Sequence, residues 1–274
     1  MKFSHAIMIR LPDKVKFENK KVASHFDLPL AKKQLEDLTQ SLKEAGIDVI
    51  ELAPEHKSRV EGLFPDDAAV VIHGTALITR PKKTGARLDE LAVALKELTW
   101  NVIRCEDKIN GKGVVLEGSD VLYTGREIFV GIRKDGTNIE GSIAIARSYP
   151  DIPVIPITLP SKLPLKHYIC MVKDDVFSVI RSKDSEVVLE RITREATYRY
   201  KVLFVEKEES VNCLNVNDHL IFRCDVHESK FGAVKPPVEL WGVKGDELAK
   251  MSGGMLSRYC LLIKKINTKK GILS

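Results

Sequence analysis

No run in this sequence approaches the roughly 18–20 consecutive apolar residues that a membrane span requires. The opening Met1–Arg10 is too short and too soon interrupted by charge for a signal peptide, and it reads as a strand. Cysteine is sparse: Cys105, Cys170, Cys213, Cys224 and Cys260 form an odd, widely spaced set. With no Cys-x-x-Cys or His/Cys ligand spacing, a structural zinc site and a disulfide framework are both excluded. Free thiols in a reducing compartment follow, and with them a cytoplasmic location. No RNA-binding aromatic motif occurs. Gly111-Lys112-Gly113 lacks the surrounding P-loop spacing, so a charged turn explains it and no cofactor is expected. No Pro-, Gly- or Ser-rich linker divides the chain into halves, and no heptad or large apolar stripe sets an oligomeric state.

What remains is a globular composition of 44% apolar and 30% charged residues over 274 positions. A single α/β domain spanning residues 1–274 fits. The net charge of +5 is spread along the chain, with its densest cluster at Lys264-Lys265-Ile266-Asn267-Thr268-Lys269-Lys270. That tail reads as a solvated end in preference to a phosphate-binding site, so neither nucleic acid nor a membrane is an expected partner.

β-branched content marks strands at Ala6–Arg10, Asp48–Leu52, Ala68–Ile72, Ala76–Thr79, Trp100–Arg104, Val121–Tyr123, Ile128–Ile132 and Val154–Ile157. Helical spacing marks Leu30–Ala45, where Leu35, Leu38, Leu42 and Ala45 share a face, and Arg87–Leu98. Asn138–Arg147 and Ser185–Arg194 are shorter versions, and Gly46 is a C-terminal stop. Tight hairpins are expected at His73-Gly74, Thr124-Gly125 and Asn217-Asp218, with a further pair at Tyr168–Val172 and Phe177–Ile180. About five strand-pair, helix, strand units fit the length, and Val226–Pro237 is the least regular stretch.

Three stretches carry a family resemblance. They are Phe64-Pro65-Asp66-Asp67-Ala68-Ala69-Val70-Val71 with Thr75–Pro81; Leu116-Glu117-Gly118-Ser119-Asp120-Val121-Leu122-Tyr123-Thr124-Gly125-Arg126-Glu127 running on to Gly131; and Asn212–Asn215 with Lys250–Ser257 and Leu261–Lys265. In order and spacing these resemble the dimethylarginine dimethylaminohydrolases of the guanidino-group-modifying (pentein) superfamily. The resemblance implies a five-bladed α/β propeller of ββαβ units with pseudo-fivefold symmetry. It also implies hydrolysis of methylated arginine to citrulline and an alkylamine, within arginine metabolism and nitric oxide regulation. In that chemistry a cysteine thiolate attacks the guanidinium carbon, a histidine moves the protons, and carboxylates hold the planar cation by charge-assisted hydrogen bonds.

Carried over residue by residue, the resemblance puts Asp66 and Asp67 at the acidic pair that grips the guanidinium and Glu61 at a further acidic contact. Glu117 falls at the acid that orients the histidine. The histidine place itself reads Pro164, within Leu163-Pro164-Leu165-Lys166, and the nucleophile place reads Ser257. His167 and Cys260 each lie three residues on, which in an extended strand turns them to the opposite face. Plainer readings stand beside these: a turn or cap for Asp66-Asp67, a loop role for Glu117, a surface role for His167, and a buried core thiol for Cys260. Two arginine places fall near Ala86 and Asp135-Gly136, with Arg87 and Arg133 as neighbours, and Ser252 replaces an acid. The leading expectation is therefore a catalytically inactive relative. Its acidic central cavity would bind a small cationic guanidino ligand or serve a structural role. The alternative is an active amidinohydrolase with shifted Cys260/His167 machinery, and an adaptor working through the basic tail ranks last.

Overall fold

The computed structural model describes residues 2–17, 20–54, 58–83, 85–234 and 238–264. The tail after Lys264, and the middle of the Val226–Pro237 stretch at 235–237, lie outside the described residues.

Five three-stranded sheets carry the architecture. In four of them a tight hairpin makes the antiparallel pair, and a crossover returns the chain parallel to the hairpin's second strand, where it must form the third. The second blade runs Ala69–Ile72, Thr75–Ile78 and Asn101–Arg104, with helix Leu88–Lys96 as its crossover. The third runs Val121–Tyr123, Ile128–Ile132 and Val154–Thr158, with helix Ile139–Ser148. The fourth runs Ile169–Lys173, Val176–Ile180 and Lys201–Val205, with helix Lys183–Glu195. The fifth runs Leu214–Val216, His219–Arg223 and Glu239–Val243. Its crossover, among described residues, contains only the short 3-10 turn Lys230–Ala233, so the expected ββαβ unit is incomplete there.

The first blade is assembled from both parts of the chain. His5–Ile9 pairs parallel with Asp48–Leu52 through helix Leu28–Glu44, and antiparallel with Cys260–Ile263. That helix starts two residues before the sequence-based expectation, because the Asp27 carboxylate caps the Leu30 N–H at 3.0 Å and Pro29 suits the first turn. Gly46 ends it in the left-handed conformation, φ 81°.

Among the described residues, no helix is long and apolar enough to cross a membrane.

Candidate functional site

The segments that lead into the blades near the pseudo-fivefold axis are short helical turns, not strand ends. Pro65–Ala68, Gly118–Asp120 and Leu165–Tyr168 precede the opening strands of the second, third and fourth blades, Leu256–Tyr259 precedes the closing strand Cys260–Ile263 of the first, and Asn212 follows the turn Glu208–Ser210 before the fifth. These turns approach closely: a Cβ on Gly118 would lie 1.7 Å from the Asp66 carbonyl oxygen, so only glycine fits.

Asp66 and Asp67 sit side by side on the first of these turns, and each already holds a cation from the chain itself. Lys166 Nζ lies 2.7 and 2.8 Å from the two Asp66 carboxylate oxygens. The Arg258 guanidinium donates to Asp67 Oδ2 through Nε at 2.9 Å and through Nη2, and its Nη1 donates to the Ser252 carbonyl at 3.2 Å. Its Cζ lies 4.0 Å from the Phe64 ring centroid, over the ring, a cation–π contact. Burial pushes the Asp67 carboxyl up, but Arg258 and hydrogen bonds from Ser119 more than reverse this and hold it below the usual range. At Asp66 burial wins over Lys166, and the carboxyl is raised.

Glu117 has Arg133 as its partner, not a histidine. Arg133 Nε also reaches both Asp120 oxygens, at 3.0 and 2.9 Å, and Asp120 accepts the Leu165 N–H at 3.1 Å, tying the third blade's opening turn to the fourth's. Burial raises the Glu117 carboxyl against the pull of Arg133. Glu61 stands apart: it pairs with Lys83 at 3.0 Å in a smaller cavity shared with Lys16 and Lys250.

Ser257 is locked by Asn212, whose Nδ2 donates to its Oγ at 2.9 Å and whose Oδ1 accepts its N–H at 3.0 Å. A carboxamide cannot take up the hydroxyl proton, so Asn212 is not a base for Ser257. Pro164 precedes the turn Leu165–Tyr168 in extended conformation, and its carbonyl accepts the His167 N–H at 3.0 Å. His167 Nε2 pairs with Glu208 at 2.6 Å, and His167 is not part of the central cavity's lining.

Two sequence-based expectations are corrected. Cys260 was expected to face away from Ser257, yet both line the central cavity. The alternating-face argument assumed one continuous strand, whereas Ser257 lies in the 3-10 turn Leu256–Tyr259 and the strand begins only at Cys260, so alternation does not carry from one to the other. Cys260 is buried, as anticipated, and burial, with Asp66 nearby, pushes its thiol far up. The second correction concerns the acidic cavity. The space of about 320 Å³ is lined by Lys2, Lys166 and Lys264 as well as Asp66 and Asp174, while Asp67, Glu61 and Glu117 are not in its lining.

Sequence reading gave Arg258 no role. A cation 191 residues from its carboxylate leaves no local periodic signal; only its place beside the expected nucleophile could have drawn attention to it.

No protein-family model matches the chain. Over 167 residues it is 35% identical to the proteins named "Putative hydrolase DDAH2" of Bos taurus and Homo sapiens, a match covering 58% of this chain and 56% of each relative. The chain thus spans just over half the length of the curated relatives it matches. Among solved structures it is similar to a cysteine-to-serine variant of Pseudomonas aeruginosa DDAH complexed with citrulline (TM-score 0.76, 17% identity, 96% of this chain and 100% of that one). It is also similar to a histidine-to-glycine dimethylarginine dimethylaminohydrolase variant as its adduct with S-methyl-L-thiocitrulline (TM-score 0.77, 18% identity, 95% and 100%). A third likeness is to the product-bound N-terminal domain of ArgZ, a cyanobacterial arginine dihydrolase (TM-score 0.72, 17% identity, 97% and 98%).

Proposed function

We propose that this chain is a relative of the dimethylarginine dimethylaminohydrolases, whose pentein fold it shares, and that it hydrolyses no guanidino substrate. It is a catalytically silent relative in which the carboxylate at the guanidinium-gripping place is filled by the chain's own guanidinium. The observation that carries this reading is Arg258 on Asp67, stacked over Phe64. An external guanidinium needs the same charge, the same planar donors and the same aromatic face, so it competes directly with Arg258.

The positions carried over for the chemistry agree. Ser257 has an amide for a partner, Pro164 has no titratable group, and Glu117 holds Arg133. Loss of a nucleophile or base from a cooperative site costs several powers of ten in rate. The shifted-machinery alternative would use Cys260 with His167, and it is disfavoured because Cys260 lines the central cavity and His167 does not.

The test is to incubate the protein and its Arg258→Ala variant with asymmetric dimethylarginine, following citrulline and thermal stability. The expected result is no citrulline from either protein, and ligand-induced stabilisation only in the variant, where Asp67 and Phe64 are vacated. Citrulline from the unaltered chain, abolished by Cys260→Ala, would make it an enzyme. Stabilisation of the unaltered chain would make it a guanidino-binding protein in which Arg258 yields to ligand.

A further inference from the structure

Cys170 and Cys213 belong to different blades and take no part in the chemistry above. Cys170 is the second residue of Ile169–Lys173 in the fourth blade, and Cys213 immediately precedes Leu214–Val216 in the fifth. Cys170 Sγ lies 3.1 Å from the Cys213 carbonyl oxygen and Cys213 Sγ lies 4.0 Å from the Met171 carbonyl oxygen, so each thiol reaches across to the other's segment. The backbones are held at this spacing by Ser178, whose Oγ lies 2.6 Å from the Val211 carbonyl and 3.2 Å from that of Cys170. Both thiols are shielded from bulk solvent within one apolar cluster that includes Val172, Val211 and Phe231. Yet both also line the central cavity of about 320 Å³. A small oxidant can therefore reach them where a protein thiol cannot.

We propose that Cys170 and Cys213 are an oxidisable dithiol, converted by a small hydroperoxide entering the central cavity into a disulfide that joins the fourth and fifth blades. The Cys170 thiolate attacks the peroxide oxygen and releases water (from hydrogen peroxide) or an alcohol, leaving a sulfenic acid. The Cys213 sulfur then attacks the sulfenic sulfur and displaces a second water. Two thiols and one hydrogen peroxide give one disulfide and two waters. The interaction of the two thiols assigns the order: it lowers the pKa of Cys170, favouring its thiolate, and raises that of Cys213. The remaining cysteines lack this arrangement. Cys224 is exposed, Cys105 is half-buried in a different cluster, and burial holds the Cys260 thiol protonated.

The experiment treats the folded full chain with hydrogen peroxide, blocks residual thiols with an alkylating agent, and maps the peptides by mass spectrometry. The expected result is a cross-linked pair of peptides carrying Cys170 and Cys213, about 2 Da lighter than the dithiol and reversed by a reductant. The oxidised protein should melt about 5 °C or more higher, since the bond closes a loop between residues 43 apart. Cys170→Ser and Cys213→Ser should each abolish the cross-link, and the Cys105→Ser/Cys224→Ser double variant should keep it. If either serine variant fails to fold, the peptide map of the unaltered chain alone decides. Alkylation of both thiols after peroxide, or a link that uses Cys260 in place of either, would overturn the proposal.

Discussion

At the scale of single residues, the Asp67–Arg258 pair shows what a binding site becomes when its ligand is built into the chain. Both groups are shielded from water, so neither is stable there alone. Removing one charge of such a pair leaves the other uncompensated, at a typical cost of about 3–5 kcal/mol. Asp67→Asn should therefore lower the stability at pH 7 by about 3 kcal/mol, read from denaturant midpoints. The pH dependence has a definite sign. Asp67 titrates below its ordinary value when folded, so its contribution is present above the unfolded carboxylate value of about 4 and is lost as pH falls through the folded value. The gap between variant and unaltered protein should accordingly narrow below about pH 4. Equal midpoints at pH 7 would mean that the pair is not a structural element.

At the scale of elements, local chemistry set most of what could be read in advance. His73-Gly74 and Asn217-Asp218 turn with positive φ at both positions, the conformation two-residue hairpins favour. Asn138 and Ser182 cap the helices that begin after them, within a residue or two of the sequence-based boundaries. The opening turns of the blades were not legible. Pro65–Ala68, Leu165–Tyr168 and Leu256–Tyr259 are each four residues long, too short to show a 3.6-residue period, and they merge into apolar strands. The candidate site is built on those turns. Residue types at Asp66, Asp67, Glu117, Pro164 and Ser257 could thus be read, while the faces they present and their internal partners could not. The third strand of the fifth blade, Glu239–Val243, was missed because no helix announces it. Asn138 offers the element-scale test. Its Oδ1 accepts the Gly141 N–H at the helix start and the Val115 N–H, both at 3.0 Å, and its Nδ2 donates to the Gly113 carbonyl at 2.8 Å. Asn138→Ala removes the cap and strands the 113–115 segment, so the expected loss is about 2 kcal/mol, or a melting temperature roughly 5 °C lower. A change under 1 °C would show that water replaces the side chain without cost.

At the scale of the whole molecule, the ring of blades is closed by its first and last described strands. His5 to Met8 pair with Ile263 to Cys260, and the Ser4 N–H adds a bond to the Ile263 carbonyl at 2.9 Å. The closing strand does more than complete one sheet. Ile7, Leu261 and Ile263 are buried together with Ala69, Ala76 and Leu91 of the second blade, so the seam of the first blade is also the contact between neighbours. We propose from this that the five blades unfold as one unit. A chain shortened to end at Tyr259 loses Leu261 and Ile263 from the core, each worth about 1.5–3 kcal/mol of burial, and leaves one edge of His5–Ile9 without its pairing partner. Stabilities of folded domains are typically only about 5–15 kcal/mol, so these losses, with the broken ladder, consume most of the margin. The full chain should melt in a single cooperative transition by circular dichroism, and the shortened chain should show none and elute as aggregate in size-exclusion chromatography. A cooperative transition within a few degrees of the full chain's would mean that the remaining blades stand alone and that closure contributes little.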